Sequence, residues 1–289
     1  MIPFSDQVII VTGASSGIGE AVVRRLSRAG AKLVISARRA DRLEALAREL
    51  DPAGMRVVAV AGDVTNDADR RRLVATAREK FGRIDGLVNN AGYGTRGPVE
   101  LVSVELIRKN FETNLFSLIA LTQLVVPLMR QQTGGVGRDD CRGRIVNIGS
   151  VAGRISRPLS SVYDSTKHAL EAITDGLRGE LKVFGVDVVL IRPGLIQTEF
   201  VQSADRASET VIADAGPYAT YFENYHRGYD RLRPFIGTGD DIARLVERGL
   251  TAAHPRTHYS GPAHAKLFLF LRWLLPARGV DYLVRLKKG

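Results

Sequence analysis

Cysteine is nearly absent from this sequence, since Cys141 is the only one in 289 residues. A single thiol cannot form an intramolecular disulfide, which is typical of a protein from a reducing compartment. No basic segment precedes the first apolar run, Val8–Val11, so the N-terminal residues lack the pattern of a signal peptide. We therefore expect a cytoplasmic protein.

Long apolar runs are also missing. The longest near the C-terminus, Leu267–Leu275, is interrupted by Arg272 and has about half the length of a membrane span. The composition is ordinary for a globular protein, with 45% hydrophobic and 25% charged residues. A chain of 289 residues is long enough for one large α/β domain with a full core and short for two.

The charge balance is basic, with 41 Lys and Arg against 31 Asp and Glu and a net charge of +10. Proteins that bind nucleic acids concentrate such charge in a patch with aromatic residues, whereas here it is spread along the chain. The densest interior run, Arg70–Arg72, has the spacing of a solvated helix face. We expect no nucleic-acid partner, and the charge suits a phosphorylated cofactor or an anionic membrane surface.

Segments rich in Val and Ile alternate with amphipathic segments as far as residue 192. The predicted strands are Gln7–Thr12, Lys32–Ser36, Arg56–Ala61, Gly86–Asn89, Arg144–Gly149 and Val186–Arg192, with a short last strand near Thr257–Ser260. The predicted helices are Gly17–Ala29, Asp41–Leu50, Asp67–Phe81, Val104–Gln132 and Ser161–Phe184. Apolar strands separated by helices indicate a parallel sheet buried on both faces. The sequence therefore predicts an α/β fold with a doubly wound, Rossmann-type sheet.

A glycine-rich turn follows the first strand, with the sequence Thr12-Gly13-Ala14-Ser15-Ser16-Gly17-Ile18-Gly19. Gly13 permits a tight turn, Gly17 lets the backbone approach a pyrophosphate, and Gly19 allows close packing of helix on strand. The N-terminus of the following helix offers amide donors and a favourable dipole for phosphate. The spacing G-x-x-x-G-x-G differs from the commoner G-x-G-x-x-G, and a turn without a ligand is the alternative.

The residues after the second and third strands bear on the choice of cofactor. A free ribose 2′-hydroxyl usually meets an acidic residue after the second strand, whereas a 2′-phosphate needs positive charge. Ala37 is followed by Arg38 and Arg39, which favours NADP over NAD. The two arginines could instead begin an exposed helix, Arg39 more so than Arg38. Asp63, with Val64, could cap the adenine, or Asp63 could be the N-cap of a helix.

Three residues suggest acid–base chemistry. Tyr163 and Lys167 lie four residues apart, which places phenol and ammonium on one face of a helix. A neighbouring cation should lower the tyrosine pKa, which is ordinarily about 10, and so allow proton exchange with an alcohol or ketone near neutral pH. The hydroxyl of Ser150, from another segment, could donate to the same substrate oxygen.

In order and spacing, these elements resemble the short-chain dehydrogenase/reductase family over about residues 5–200. The matching elements are Thr12–Gly19, Asn89-Asn90-Ala91-Gly92, Asn114, Ser150, Tyr163 with Lys167, and Pro193-Gly194 with Thr198. The chain departs from the common pattern in Asp164-Ser165-Thr166, between the tyrosine and the lysine, and in the polar, glycine-rich insertion Thr133–Gly143, which we predict to be a surface loop. We assign no role to Cys141 within that loop.

The resemblance implies a role for each matching residue. Tyr163 would be the general acid in reduction, Lys167 would lower its pKa and hold the nicotinamide ribose, and Ser150 would polarise the carbonyl. Asn114 would anchor a water that links Lys167 to solvent. The remaining groups would contact the cofactor: Asn90, Ala91 and Gly92 on the adenosine side, and Pro193, Gly194 and Thr198 at the carboxamide.

Structural alternatives remain open for three of these residues. Asn114 could be a buried amide that serves packing, and Ser150 and Thr198 could each cap the turn or helix that follows. The histidines predict no metal site, because Pro255 separates His254 from His258 and no third ligand is evident.

The segment Glu199–Gly237 follows the sixth strand and should contact the substrate. Its aromatic residues are Phe200, Tyr218, Tyr221, Phe222, Tyr225, Tyr229 and Phe235, several of them at helical spacing. Such a stripe is more often helix packing than a binding surface. A ring-lined helix over the pocket nevertheless favours a bulky, apolar substrate.

The C-terminal residues 264–289 combine six Lys and Arg and a single Asp with Leu, Phe and Trp273. They resemble the ending of steroid- and retinol-type members of the family. Two short cationic amphipathic helices can lie in a membrane interface, or they can pack on the domain or on a partner subunit. We expect a catalytic domain over residues 1–260 with a substrate lid at about 199–237, a helical extension over 261–289, and a homo-oligomer.

Together these features predict an NADP-dependent oxidoreductase that interconverts a lipophilic secondary alcohol and ketone, such as a steroid-like, retinoid-like or long-chain compound. One alternative is a 3-oxoacyl thioester reductase, whose substrate arm is anionic. The other is a nucleotide-binding scaffold without turnover, which would not need Ser150, Tyr163 and Lys167 together.

Overall fold

The computed structural model describes residue 4 and residues 6–133, 141–232 and 236–285. Seven strands are present among them: β1 Val8–Thr12, β2 Lys32–Ala37, β3 Val57–Ala61, β4 Gly86–Asn89, β5 Gly143–Ile148, β6 Val186–Pro193 and β7 His258–Gly261. The first helices are α1 Gly17–Arg28, α2 Ala40–Leu50, α3 Asp67–Phe81, α4 Val104–Phe111, α5 Ser117–Gln131 and α6 Ser161–Lys182. The later helices are α7 Phe200–Ala207, α8 Glu209–Ala213, α9 Ala219–Leu232, α10 Gly239–Thr251, α11 Ala263–Leu274 and α12 Ala277–Val284.

The strands form one parallel sheet in the order β3-β2-β1-β4-β5-β6-β7. Successive residues of β1 face opposite sides, so Ile9 and Val11 pack in one core cluster and Ile10 in the other. The chain leaves β1 toward β3 and then returns to β4, which opens a crevice at the carboxyl ends of β1 and β4. The predicted Rossmann-type α/β fold is confirmed.

The predicted helix Val104–Gln132 is interrupted by a π-helical turn, Glu112–Phe116, between α4 and α5. The wider turn brings Asn110 and Asn114 to the same backbone group, since both side-chain amides donate to the Tyr93 carbonyl, at 3.0 and 2.9 Å. π-Helical turns are frequent at functional sites, and this one lies behind the crevice.

The predicted surface loop Thr133–Gly143 does not extend to Cys141. This residue is fully buried, and its thiol lies within hydrogen-bonding distance of the Gly143 carbonyl at 3.6 Å and of Asp187 at 3.5 Å. Burial raises the pKa of this thiol. Residues 134–140 of the predicted loop lie outside the described residues.

The C-terminal helices α11 and α12 contact the rest of the domain through only a few of their described residues. Ala265 and Val280 are buried, and the Arg272 guanidinium donates to the Arg154 carbonyl at 3.2 Å. Most large apolar side chains of these helices are exposed, namely Leu267, Phe268, Phe270, Trp273, Leu274, Tyr282 and Leu283. The predicted contact of these helices with a membrane or with a partner subunit stays a prediction.

One helical run, Val104–Gln131, is long and apolar enough to span a membrane by length and composition alone. It includes α5, whose side chains Leu121, Val125 and Met129 are buried in the core under the sheet. The run is therefore a core helix of this fold.

Thr12, at the end of β1, joins the two strands that flank the crevice. Its Oγ1 accepts hydrogen bonds from the backbone N–H groups of Asn90 at 3.0 Å and Ala91 at 3.1 Å. We expect Thr12→Val to lower the free energy of unfolding by about 1–3 kcal/mol, because valine keeps the shape and leaves both donors unpaired. Urea unfolding measures this change.

Thr76→Val on α3 is the matched control, because the Thr76 hydroxyl donates only to the Arg72 carbonyl of its own helix. This variant should stay within about 0.5 kcal/mol of the wild type. Equal losses in the two variants would contradict the role given to Thr12.

Candidate active site

A cleft of about 920 Å³ opens at the carboxyl ends of the strands. Two of the predicted site residues, Gly19 and Asn114, do not line it. All the others do: Gly13, Ser15, Ser16, Gly17, Ile18, Arg38, Arg39, Asp63, Val64, Asn90, Ala91, Gly92, Ser150, Tyr163, Lys167, Pro193, Gly194 and Thr198.

The glycine-rich loop has the shape of a phosphate cradle. Gly13 and Gly17 have φ angles of +65° and +59°, which favour glycine. A Cβ atom at Gly19 would collide with the Gly13 carbonyl oxygen, so Gly19 closes the loop on itself from behind the cleft. Ser16 is the N-cap of α1 and provides no side-chain acceptor to its first turn, so N–H groups of that turn are available to an anion. These residues fit the pyrophosphate of a dinucleotide.

The two arginines after β2 differ in their contacts. Arg39 donates to the Ser15 hydroxyl at 3.2 Å and to the Ser16 hydroxyl at 2.6 Å, and it pairs with Glu199 at 2.7 Å. Its charge is thus neutralised within the protein, and Arg39 and Arg42 together lower the pKa of Glu199 to about 2. Arg38 is exposed, lines the cleft, and forms no hydrogen bond or ion pair with a described residue. Arg38 is therefore the cation that is available to a cofactor phosphate.

Asp63 is not the N-cap of the following helix. Its carboxylate accepts from the Thr65 N–H and hydroxyl, both at 2.9 Å, and so forms a local turn at the cleft wall. Asn66 caps α3 instead, by accepting from the Asp69 N–H at 3.2 Å.

Asn90 contacts the phosphate loop. Its side-chain amide donates to the carbonyls of Thr12 at 3.0 Å and Gly13 at 3.1 Å. It fixes the loop after β4 against the glycine-rich loop. The arrangement couples the two walls of the nucleotide end of the cleft.

Asn114 is buried behind the cleft, and its side chain is fully engaged. Its Oδ1 accepts from the Tyr93 N–H at 3.0 Å, and its Nδ2 donates to the Tyr93 carbonyl at 2.9 Å and to the Thr166 hydroxyl at 3.1 Å. A Cβ atom at Gly92 would lie 2.9 Å from Asn114 Oδ1 and 4.0 Å from Lys167 Nζ, so Asn114 packs close to the lysine. A water-anchoring role stays a prediction.

Ser150 and Tyr163 come together although thirteen positions separate them. The Ser150 hydroxyl lies near enough to the Tyr163 phenol to lower the pKa of that phenol, and it accepts from the Ala152 N–H at 3.1 Å. Ser150 therefore both caps the 3₁₀ turn Val151–Gly153 and contacts the tyrosine. The ring of Phe200 packs edge-on against Tyr163, with 5.2 Å between ring centroids.

The expected lowering of the Tyr163 pKa by Lys167 is wrong for this structure. Burial raises the pKa of Tyr163 to about 12, against the opposing effect of Arg157, the Ser150 hydrogen bond and Arg96. Lys167 donates to the Ile148 carbonyl at 2.9 Å, and its Nζ lies 5.8 Å from the tyrosine ring centroid. Burial also lowers the pKa of Lys167 to about 8. Tyr163 thus keeps its proton at neutral pH, as a general acid must.

The residues at and after the end of β6, Pro193, Gly194 and Thr198, line the cleft, and their predicted contact with the carboxamide stays a prediction. A Cβ atom at Gly194 would collide with the His264 ring, and the Leu195 N–H donates to His264 Nε2 at 2.8 Å. Thr198 lies over the phosphate loop. A Cβ atom added to Gly17 would lie 3.1 Å from the Cβ and Cγ2 atoms of Thr198. Its hydroxyl accepts from the Phe200 N–H at 3.3 Å, so part of the predicted capping role is present.

Of the aromatic residues predicted to lie over the pocket, only Phe200 and Tyr225 line the cleft among those whose side chains are described. Phe222 is buried against Leu159 and Ala215 and serves packing. The Tyr229 side chain and Phe235 lie outside the described part of the chain.

Sequence reasoning missed several cleft residues. These are Tyr93, Thr95 and Arg96 after β4, and Arg157 and Ser160 before α6. Arg157 pairs with the buried Asp164 at 2.7 Å. Asp164, which breaks the common family pattern beside Tyr163, was the signal that a cationic partner must lie nearby, because a buried carboxylate needs one.

Glu171, Asp175 and His258 bring potential metal ligands within 4.8 Å of one another. Glu171 pairs with Arg192 at 2.6 Å, and Asp175 pairs with Arg178 at 2.7 Å. Both carboxylates are thus neutralised by guanidinium groups, which accounts for the cluster as an ion-pair network.

Comparison with known proteins matches residues 7–209 to the family described as short chain dehydrogenase. The NADPH-dependent 3-dehydrocapnine reductase of Ornithobacterium rhinotracheale is 30% identical over 274 residues, which cover 94% of this chain and 94% of that protein. Retinol dehydrogenase 16 of Rattus norvegicus is 31% identical over 290 residues, which cover 96% of this chain and 87% of that protein. The crystal structure of a short chain dehydrogenase/reductase from Burkholderia phymatum in complex with NAD has a TM-score of 0.81 at 26% identity, with 100% of this chain and 99% of that chain covered.

The low pKa of Lys167 predicts a pH dependence for carbonyl reduction. Lys167 loses its positive charge as the pH rises through about 8, whereas Tyr163 stays protonated to about 12. We expect kcat/KM for reduction to fall across the first of these values. Lys167→Arg should shift that falling limb to higher pH, because guanidinium keeps its charge.

Steady-state kinetics between pH 6 and 10 measures both profiles. Lys182→Arg is the matched control, because Lys182 is exposed at the far end of the same helix, α6. The assignment is wrong if the Lys167→Arg profile falls at the same pH as the wild type.

Proposed function

This chain belongs to the short-chain dehydrogenase/reductase family, and from that membership we propose that it is an NADP-dependent enzyme that interconverts a lipophilic secondary alcohol and ketone. The family establishes an NAD(P)-dependent oxidoreductase. The preference for NADP and the lipophilic substrate are the parts that we add.

The proposal rests above all on one arrangement. Ser150, Tyr163 and Lys167 line the same cleft as the glycine-rich loop, and the Ser150 hydroxyl lies near enough to the Tyr163 phenol to lower its pKa. A protein that only held a nucleotide would gain nothing from burying a lysine and a tyrosine together, because burial of an ammonium costs free energy. A reductase uses both groups.

The side chains divide the work of reduction between them. When bound, the nicotinamide cofactor supplies the hydride. Ser150 is placed to donate a hydrogen bond to the substrate oxygen, and Tyr163 holds the proton that this oxygen takes up. Arg157 is a cation whose charge opposes the rise in the Tyr163 pKa, so it stabilises the negative charge that remains after transfer. Lys167 would hold the nicotinamide ribose.

The choice of NADP is supported by the residues after β2. Ala37 provides no carboxylate for a ribose 2′-hydroxyl, and Arg38 is an exposed cation on the cleft wall. The related reductase of Ornithobacterium is NADPH-dependent. The related Burkholderia structure contains NAD, so only a direct comparison of the two cofactors decides the question.

The lipophilic substrate is supported by the relationship to retinol dehydrogenase 16 and by the rings of Phe200 and Tyr225 at the substrate end. A cytoplasmic location, contact of residues 264–289 with a membrane, and a homo-oligomer are further parts of the proposal. The exposed apolar side chains of α11 and α12 support the contact with a membrane.

Tyr163→Phe removes the proposed proton donor and leaves the ring in place. We expect kcat for ketone reduction to fall by about 10²–10⁴-fold, because the contribution of a positioned general acid is lost. NADPH affinity, measured by quenching of the nicotinamide fluorescence, should change less than threefold. Turnover near the wild-type rate would contradict the role of Tyr163.

Arg38→Ala tests the cofactor preference. We expect the dissociation constant for NADPH to rise by about 10–100-fold, since charge-assisted hydrogen bonds to a phosphate are lost. The dissociation constant for NADH should change little. Arg42→Ala is the control, because Arg42 is exposed and pairs with Glu199 rather than lining the cleft. A parallel loss of both cofactors in Arg38→Ala would contradict NADP selection by this residue.

A further inference from the structure

Three segments meet above the catalytic tyrosine at the substrate end of the cleft. The Gly97 N–H donates to the Leu159 carbonyl at 2.9 Å, which joins the segment after β4 to the segment before α6. The Arg96 N–H donates to the Ser208 hydroxyl at 2.8 Å, which joins the first of these to the end of α7. This junction places three polar side chains on the cleft wall, those of Thr95, Arg96 and Ser160.

Arg96 is the central residue of the junction. It is only 5% exposed, and its guanidinium lies 4.2 Å above the ring of Tyr225. Its Nε donates to Asp205 at 2.9 Å. Its two terminal nitrogens make no hydrogen bond to any residue that the structure describes, although Arg96 lines the cleft. A guanidinium pre-oriented by stacking and by one carboxylate therefore keeps donors for a ligand.

Two buried hydroxyl groups lie beside it. Thr95 and Ser160 are each 2% exposed and line the cleft, yet Thr95 Oγ1 and Ser160 Oγ have no hydrogen-bond partner among the described residues. A buried hydroxyl without a partner costs about 1–3 kcal/mol. A ligand with oxygen acceptors would satisfy both groups.

Cationic side chains outnumber carboxylates at this end of the cleft. Arg96, Lys109, Arg157 and Arg206 line it together with Glu112, and Arg96 and Arg157 are each paired with one further carboxylate, Asp205 and Asp164. Arg96 and Arg157 line the same cleft as Tyr163, and the charge of both opposes the raised pKa of that tyrosine. Since guanidinium only donates hydrogen bonds, its ligand must be an acceptor, and the cations favour a negative one.

We propose that Arg96, with Thr95 and Ser160, forms a subsite for an oxyanion carried by the substrate close to its reacting carbon. The substrate class is then an amphiphile: a long apolar chain with a carboxylate, sulfonate or phosphate group a few bonds from the ketone. This inference rests on the proposed function and narrows its substrate. A neutral steroid-like or retinoid-like ketone would leave the terminal nitrogens of Arg96 and both hydroxyls without a charged acceptor.

The first test compares matched substrates. We would measure kcat/KM with NADPH for a long-chain 2-alkanone and for the 2-oxoalkyl phosphonate, the 2-oxoalkyl sulfonate and the 4-oxo carboxylate of equal chain length. We expect at least one anion to exceed the neutral ketone by tenfold or more, and the order among the three identifies the headgroup. A neutral ketone preferred over all three anions would overturn the subsite.

Variants locate the recognition. Arg96→Gln should reduce the anion-to-ketone ratio at least tenfold, and Arg96→Lys should restore part of it. Arg227→Gln is the control, because Arg227 lies on α9 and does not line the cleft. It pairs with Glu223 at 3.2 Å. The anion-to-ketone ratio of this variant should equal that of the wild type. An unchanged ratio in Arg96→Gln would overturn the assignment.

Thr95→Val separates binding from folding. It should reduce the same ratio without lowering the melting temperature, because the hydroxyl has no hydrogen-bond partner to lose among the described residues. Thr122→Val should lower the melting temperature, since the buried Thr122 hydroxyl accepts from Asn89 at 3.3 Å. A fall in melting temperature for Thr95→Val without a change in the ratio would overturn the role of Thr95.

Binding without turnover distinguishes the inference from the proposed function. Calorimetry with an alkyl phosphonate that lacks a carbonyl, in the presence of NADP, should show affinity in the wild type and a tenfold loss in Arg96→Gln. If this holds while no ketone is reduced, the subsite stands and the proposed reaction fails. If the phosphonate binds equally to both proteins, the subsite is wrong whatever the activity.

Discussion

A continuous series of hydrogen bonds joins the nucleotide end of the cleft to the catalytic helix, and the site depends on it. Asn90 and Thr12 fix the loop after β4 to the glycine-rich loop. Asn114 then binds both backbone groups of Tyr93 and donates to Thr166, whose hydroxyl donates to the Tyr163 carbonyl at 2.7 Å. The phosphate loop and the proton donor therefore have a fixed relation through buried polar contacts, which are expensive to break.

The same burial sets the chemistry. A tyrosine and a lysine removed from water both prefer their neutral forms. The Tyr163 phenol therefore keeps its proton, and the Lys167 ammonium loses its proton more easily. Arg157, neutralised in part by Asp164, and Arg96, paired with Asp205, place positive charge near the phenol without being buried alone. The site thus favours proton donation to a carbonyl oxygen, and the guanidiniums also give its substrate end a preference for negative charge.

Much of this could be predicted from the sequence, because apolar periodicity and glycine positions are local signals. The strands, the order of elements and the glycine-rich loop were predicted within a few residues. The π-helical turn was not, since the Asn110 and Asn114 contacts with Tyr93 that accompany it are not local in sequence. The Tyr163 and Lys167 spacing predicted their shared place but not the direction of the tyrosine pKa, which depends on burial by distant segments. The pairing of Arg39 with Glu199, 160 positions apart, was likewise invisible to local reasoning.

In the proposed reaction the nicotinamide cofactor transfers a hydride to a carbonyl carbon while Tyr163 protonates the oxygen. The most direct measurement uses NADPH with deuterium at the transferred position of the nicotinamide ring and mass spectrometry of the product alcohol formed from a long-chain oxo substrate. We expect deuterium on the carbinol carbon, gained in step with cofactor oxidation. An alcohol without deuterium, or cofactor that binds and is never consumed by any oxo substrate, would contradict it.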